Sequence, residues 1–205
     1  MIKLLTKINY CISKHPNIKT MNIRINKLHM RQLLLLLALT YLASCQQEKS
    51  SAPVLDPLPT KTYAVGNTKL NSYDFKTIEP ILHRETDTVY VVNFWATWCA
   101  PCVAELPIFE KLQADHKNKV KVILISLDMA KDVEAKLIPF IENNKLKSKV
   151  LHLHDPDADS WINKVDSTWS GAIPATLIYG GGKRRFYEQS FSAEALDKEL
   201  EQFIN

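Results

Sequence analysis

The sequence predicts a mixed α/β fold in which a central β-sheet is covered by helices on both faces. Two runs, residues 88–95 (TVYVVNFW) and 120–127 (VKVILISL), are apolar at nearly every position, as expected of strands that are buried on both faces. Each run is followed by a segment of helical periodicity, at residues 100–116 and 133–144. Strands that alternate with helices form crossover units, so these segments predict the centre of the sheet. Pro107 is expected to kink the first helix.

The chain ahead of the first central strand predicts a small extension of the sheet. Short segments at residues 63–65 and 69–71 are separated by Gly66 and Asn67, which predicts a β-hairpin. A short helix is predicted over residues 77–84.

Four more elements are predicted in the C-terminal half: a strand, a short helix, a hairpin and a closing helix. They are placed at residues 150–153, 158–165, 175–188 (strands 175–179 and 184–188) and 193–203. Three glycines at 180–182 favour the hairpin turn, and Ser192 suits the cap of the amphipathic closing helix.

Length and charge exclude several classes of protein. The 205 residues are 46% hydrophobic and 23% charged, which suits one globular domain with appendages and excludes wholesale disorder. The formal net charge of +4 comes from the first 44 residues, which contain seven of the 26 basic residues and none of the 22 acidic ones. The remainder is net acidic, so no nucleic-acid partner is expected.

The N-terminal segment is typical of an export signal. Residues 33–43 form an apolar stretch of eleven residues, too short for the roughly 20-residue helix that spans a bilayer. The Leu-Ala-Ser-Cys sequence that ends at Cys45 resembles the lipobox of bacterial lipoproteins, which implies cleavage before Cys45 and lipidation of its sulfur. We therefore expect a signal peptide at 1–44, with Met30 as an alternative start, and a buried helix with a chance cysteine is the competing interpretation.

The Pro-containing polar segment at residues 45–62 is expected to form a tether, followed by one domain at 63–205. Cys11 would leave with the signal and Cys45 would become the anchor, so the exported domain keeps only Cys99 and Cys102. Two thiols at this spacing in an oxidising compartment predict that thiol chemistry is the function.

Cys99 and Cys102 stand where the first central strand gives way to a helix. A thiolate at a helix N-terminus faces unpaired amide groups and the positive end of the helix dipole, which lowers its pKa. Cys99 is therefore the expected nucleophile. Cys102, one turn along the same face, is placed to resolve a mixed disulfide. Pro101 needs no amide hydrogen bond in the first turn and stiffens the loop.

The segment VVNFWATWCAPC resembles the active-site signature of the thioredoxin superfamily, which implies a thioredoxin-like fold over residues 63–205. Trp95 and Trp98 occupy the family's aromatic positions, and Ala100 and Pro101 lie between the cysteines. Further on, Ile173 and Pro174 in GAIPATLIY resemble the cis-proline loop, which in that family lies against the cysteines and receives the substrate backbone.

Two departures from ordinary thioredoxin narrow the resemblance. Asn93 occupies the place of a buried Asp, and Glu105 stands three residues after Cys102. The WCxPCxxExP arrangement is similar to that of membrane-tethered TlpA-like and ResA-like thiol-disulfide oxidoreductases. Helical spacing puts Glu105 beside Cys102, where a partly buried carboxyl is suited to accept the thiol proton. A solvated Glu105 without that role is the alternative.

The resemblance implies a lipid-anchored disulfide reductase of the cell envelope. Its expected partners are disulfide-bearing exported proteins, such as apocytochromes c, and a membrane thiol-disulfide carrier that restores the dithiol. No cofactor is expected besides the redox-active pair. The direction of transfer, the substrate and the choice of inner or outer membrane stay open at this stage.

A metal site is the main alternative, because Cys99, Cys102, His152 and His154 are four soft donors suited to zinc or copper. Against it, this Cys-x-x-Cys follows a buried strand and contains Pro, and the two histidines are expected at a strand end near the surface. Peroxiredoxin chemistry is disfavoured because residues 96–98 lack the Pro and Thr pattern that precedes the reactive cysteine in that class. A non-enzymatic adaptor would not need both thiols.

Two other features are assigned no chemistry. Trp161 and Trp169 are expected to pack in the core or against loops. The basic run at residues 183–185 is expected to be a solvated edge that discourages strand pairing.

Overall fold

The structure is a computed structural model and describes residues 57–204. The predicted signal peptide, the lipidation site Cys45 and the tether up to residue 56 lie outside the described residues. Within residues 57–204, no helix is long and apolar enough to span a membrane.

Among residues 57–204, seven strands form one mixed sheet, which confirms the predicted fold class. The strands are β1 (Lys61–Val65), β2 (Thr68–Tyr73), β3 (Val89–Trp95), β4 (Val120–Ser126), β5 (Lys149–Leu153), β6 (Ala175–Gly180) and β7 (Lys183–Tyr187). Their order across the sheet is β1-β2-β5-β4-β3-β6-β7. The pairs β2–β5, β5–β4 and β4–β3 are parallel. The pairs β1–β2, β3–β6 and β6–β7 are antiparallel.

In the described part of the chain, five α-helices accompany the sheet: α1 (Phe75–Ile78), α2 (Ala100–Asp115), α3 (Ile138–Asn143), α4 (Ile162–Val165) and α5 (Ala193–Ile204). Residues of α2, α3 and α5 pack with β3 and β4 in one core, which contains Leu106, Ile138 and Leu200. A second core on the opposite face gathers α1, α4 and the aromatic side chains of Trp161 and Trp169. Both tryptophans are 4% exposed, as the sequence predicted.

The predicted helices at 77–84, 133–144 and 158–165 are each split in the structure. The first is α1 followed by a 3₁₀ segment, Glu79–His83, and the second is a π-helical turn, Val133–Leu137, followed by α3. In both cases a proline, Pro80 or Pro139, lies in the first turn of the second segment, where it has no N–H to donate to the turn before it. The predicted helix at 158–165 is a 3₁₀ segment, Ala158–Ser160, followed by α4. By contrast, α2 continues through Pro107.

The N-terminal hairpin is longer than predicted and changes the setting of one histidine. β1 begins at Lys61, two residues inside the predicted tether, and β2 extends to Tyr73. Because β2 pairs with β5, Ser72 lies opposite His152. His152 is 0% exposed, so its expected position near the surface was wrong, whereas His154 is exposed.

The β6–β7 turn brings two backbones into close contact at Gly180. A Cβ atom at this position would lie 2.9 Å from the Thr88 carbonyl oxygen and 2.9 Å from Val89 Cα. At the neighbouring Gly181, also at positive φ, a Cβ atom would have nothing within 4 Å. Of these two glycines, only Gly180 lacks the space for a side chain.

We expect Gly180→Ala to lower the free energy of unfolding by about 1–3 kcal/mol beyond the cost in the matched variant Gly181→Ala, because only the first overpacks the β3–β6 contact. Gly181→Ala should show only the backbone cost of a positive φ, about 1 kcal/mol. Urea denaturation of both variants measures the difference. Equal losses would contradict the proposed contact.

Candidate redox site

Cys99 and Cys102 form a disulfide at the start of α2, with 5.3 Å between their Cα atoms. Cys99 is the N-cap of this helix, and the Cys102 backbone N–H donates to Cys99 Sγ at 3.3 Å. This is the N-cap arrangement, with sulfur in the place of the usual oxygen. Pro101 in the first turn has no N–H of its own. An anionic sulfur at position 99 would therefore face the free amides of the helix start.

The two sulfurs differ in access. Cys99 is 6% exposed and adjoins Trp98, which is 63% exposed, while Cys102 is fully buried. Ala100 and Pro101 are exposed. An incoming disulfide can therefore approach Cys99 first, and Cys102 is placed to react with what is bound to Cys99.

The loop before β6 closes the other side of the site. The Ile173–Pro174 peptide bond is cis, and the Ile173 carbonyl oxygen lies 3.7 Å from Cys99 Sγ. Glu188 accepts hydrogen bonds from the backbone N–H groups of Ser170 and Ala172, at 3.1 and 3.0 Å, and from the Ser170 hydroxyl. The predicted cis-proline loop is thus brought to the cysteines, and Glu188, which the sequence did not indicate, anchors it.

Glu105 is buried in α2, three residues after Cys102. It is 2% exposed, so the solvated alternative is wrong. Its Oε1 accepts from Asn93 Nδ2 at 3.0 Å, and its Oε2 accepts from the Phe191 backbone N–H at 2.8 Å. Asn93 also donates to Thr176 Oγ1 at 3.1 Å. The residue that stands in place of the family's Asp is therefore a direct partner of Glu105.

Burial raises the pKa of Glu105, because desolvation penalises the carboxylate more than its two hydrogen bonds stabilise it. A carboxylate whose pKa is raised is a stronger base than a solvated one, which suits it to accept a proton. The structure gives this residue the environment that a proton acceptor for a buried thiol requires.

Trp95 and Trp98, which the signature places together, have different settings. Trp95 is buried and packs against Phe140 with 5.5 Å between ring centroids. Trp98 is exposed beside Cys99. Sequence alone did not separate these two roles.

The geometry does not support the metal alternative. Both ring nitrogens of His152 are engaged, Nδ1 with Ser72 Oγ and Nε2 with the Asp128 carbonyl oxygen, each at 2.8 Å. Within residues 57–204, no group of three or more His, Cys, Asp or Glu side chains is arranged to hold a metal ion.

Comparison with known proteins identifies the family. The sequence matches the AhpC/TSA family over residues 63–181, more than half of the chain. The chain belongs to the AhpC/TSA family. Its AhpC/TSA domain is 32% identical over 87 residues to a thioredoxin of Rickettsia bellii, a match that covers 38% of this chain and 83% of that protein.

A second curated relative of this AhpC/TSA chain is the thiol-disulfide oxidoreductase ResA of Oceanobacillus iheyensis. The two are 41% identical over 63 residues, which is 30% of this chain and 31% of ResA, so the match spans about a third of that relative.

A solved structure shares the fold. It is a thiol:disulfide interchange protein of the thioredoxin family from Chlorobium tepidum, with a TM-score of 0.50 and 16% identity over 74% of this chain and 99% of that one. This likeness shows that the AhpC/TSA domain has a thioredoxin-like fold. Its Cys99–Cys102 pair, its family and its match to a thioredoxin over 83% of that protein put it among the thiol-disulfide oxidoreductases of the thioredoxin superfamily.

Glu105 should make the stability of the AhpC/TSA domain depend on pH. The pKa of Glu105 is raised in the folded chain above its ordinary value of 4.5. At pH values between these two pKa values, the folded chain keeps a proton on Glu105 that the unfolded chain has lost. The free energy of unfolding should therefore fall as the pH rises through this window. Glu105→Gln, which does not titrate, should remove that part of the slope.

Urea denaturation of the oxidised wild type and Glu105→Gln at closely spaced pH values measures this effect. The two stability curves should converge at acidic pH and separate as the pH rises. Parallel curves would show that Glu105 titrates alike in both states and would contradict a raised pKa.

Proposed function

We propose that this protein is a disulfide reductase for exported proteins, with Cys99 as the attacking thiol. The observation that carries the proposal is the position of Cys99 at the start of α2, where the Cys102 N–H lies 3.3 Å from its sulfur. Amides aimed at a sulfur stabilise its thiolate, which is the nucleophilic form. The greater access to Cys99 supports the same assignment.

The reaction transfers two electrons to the substrate. The Cys99 thiolate attacks one sulfur of a substrate disulfide, which forms a mixed disulfide and releases the other sulfur as a thiolate. Cys102 then loses its proton to Glu105 and attacks Cys99 Sγ. The mixed disulfide breaks, the second substrate thiolate leaves, and the Cys99–Cys102 disulfide remains. Protons from Glu105 and solvent complete the substrate dithiol.

The loop at Ile173 and Pro174 supports the binding of an extended substrate segment. The Ile173 carbonyl oxygen faces Cys99, and exposed Trp98 adds an apolar surface beside the same sulfur. A polypeptide that presents its disulfide to Cys99 would contact both. We propose that apocytochromes c are among these substrates and that a membrane thiol-disulfide carrier reduces the pair again.

The direction of electron transfer depends on the reduction potential of the pair. A value near that of thioredoxin, about −270 mV, supports reduction, whereas one near the strongly oxidising end, about −120 mV, would reverse the assignment. Equilibration of the pair with glutathione or dithiothreitol buffers measures it.

Trapping identifies the substrates. We expect Cys102→Ser, expressed in the native host, to accumulate mixed disulfides on Cys99, because the residue that would release the substrate is missing. Mass spectrometry of the captured proteins names them, and the double variant Cys99→Ser/Cys102→Ser is the matched control. No capture by Cys102→Ser together with full activity of Cys99→Ser would favour the adaptor alternative. Faster Cys99-dependent turnover of peroxide than of protein disulfides would also contradict the proposal.

We further propose that the mature chain is anchored to the envelope through lipidated Cys45. The support is in the sequence: the apolar run at residues 33–43, the basic residues before it and the Leu-Ala-Ser-Cys sequence. More than one acyl chain is needed for stable attachment, since a single chain binds only marginally.

Cys45→Ser should move the protein from the membrane to the soluble fraction of broken cells, because the acylated sulfur is lost. Fractionation and immunoblotting measure the change, with Cys99→Ser as the control that keeps the anchor. A Cys45→Ser protein that stays in the membrane fraction would refute lipid anchoring at this residue.

A further inference from the structure

His152 lies in a buried hydrogen-bond chain that the proposed reaction does not use. It is 0% exposed, and its ring nitrogens lie 2.8 Å from Ser72 Oγ and from the Asp128 carbonyl oxygen. A carbonyl oxygen only accepts, so Nε2 carries the proton and Nδ1 accepts from the Ser72 hydroxyl. Burial lowers the pKa of His152, which keeps the ring neutral in this tautomer.

Asp128 connects His152 to the active-site loop. Its backbone carbonyl accepts from His152, while its carboxylate accepts from the Thr97 N–H at 3.0 Å, from the Thr97 hydroxyl, and from Ser126 Oγ at 2.8 Å. Asp128 is itself only 2% exposed. Asp128 thus links two residues: His152 is bound to its backbone carbonyl, and Thr97 is bound to its carboxylate.

Thr97 belongs to the turn that leads into the reactive cysteine. The Cys99 N–H donates to the Ala96 carbonyl oxygen at 3.1 Å and closes this turn across Thr97 and Trp98. Cys99 then caps α2, with its sulfur 3.3 Å from the Cys102 nitrogen. A shift of the Thr97 backbone would therefore change how the sulfur faces the helix start.

We propose that His152 is a positioning residue for the redox pair: through Asp128 it holds the turn that sets Cys99 at the start of α2. The inference rests on the proposed role of Cys99 as the attacking thiol. The N-terminal hairpin takes part as well, because Ser72 of β2 orients the ring and Tyr63 of β1 lies edge-on to it, with ring centroids 6.0 Å apart. The hairpin extension thus supports the active site.

Two conservative variants separate this role from simple filling of the core. Gln at position 152 is long enough to place its amide near the site of His Nε2 and to donate to the Asp128 carbonyl. Asn keeps a polar contact with Ser72 but is too short to reach Asp128. His152→Asn should therefore lose the positioning effect, and His152→Gln should largely keep it.

The readout is the reactivity of Cys99 in the reduced full-length chain. Peptide-resolved alkylation with iodoacetamide over a range of pH gives the pKa of the Cys99 thiol and its rate at neutral pH. We expect His152→Asn to raise this pKa and, at pH values below the pKa, to slow alkylation by about threefold, the size of a typical interaction between a charge and a helix terminus. The reduction potential should become more negative, because the reduced form loses thiolate stabilisation.

Leu151→Val controls for stability. Leu151 is buried in β5 on the opposite face of the sheet, so the variant weakens the fold without touching the chain of hydrogen bonds. It should leave the Cys99 pKa unchanged. An unchanged Cys99 pKa in folded His152→Asn, or equal shifts in the Asn, Gln and Val variants, would show that His152 only fills the core.

A measurement on the backbone covers the case in which His152→Asn folds poorly. Hydrogen exchange of the Thr97 and Cys99 amides in His152→Gln should be as slow as in the wild type, because the Gln amide keeps the hydrogen bond to the Asp128 carbonyl. Fast exchange in the Gln variant would overturn the proposal. Because none of these readouts involves a protein substrate, no capture by Cys102→Ser together with full activity of Cys99→Ser would refute the proposed function and leave this test intact.

Discussion

The redox centre depends on where α2 begins. β3 ends at Trp95, a four-residue turn follows, and the helix starts with Cys99 as its cap. This puts one sulfur at the free amides of the first turn and turns the other into the core. Had the helix begun one residue earlier or later, the amides would face a different side chain. The difference between the two cysteines is therefore a property of the cap position.

The sheet order explains why three loops meet at this point. β3 lies between parallel β4 and antiparallel β6. The carboxyl ends of β3 and β4 and the amino end of β6 therefore share one edge of the sheet. The loop after β4 brings Asp128 to Thr97, and the loop before β6 brings Ile173 to Cys99. Binding at the carboxyl ends of parallel strands is a general property of such sheets.

Glu105 shows that the site is not arranged for stability alone. A carboxyl group that is 2% exposed is costly to ionise, and two hydrogen bonds from Asn93 and Phe191 offset only part of that cost. The polar group is understandable if the buried Cys102 must lose a proton where water has little access, as the proposed reaction requires.

Local features of the sequence were enough to predict the central strands, α2 with its Cys-x-x-Cys cap, the glycine turn between β6 and β7, and the position of Glu105 in α2 three residues after Cys102. Periodicity and capping act within a few residues. The sequence did not predict contacts between residues that are far apart along the chain. Phe191 reaches Glu105 across 86 residues, and Ser72 reaches His152 across 80. These partners depend on which strands become neighbours, so only the folded sheet decided that His152 is buried and that Asp128 holds the active-site turn.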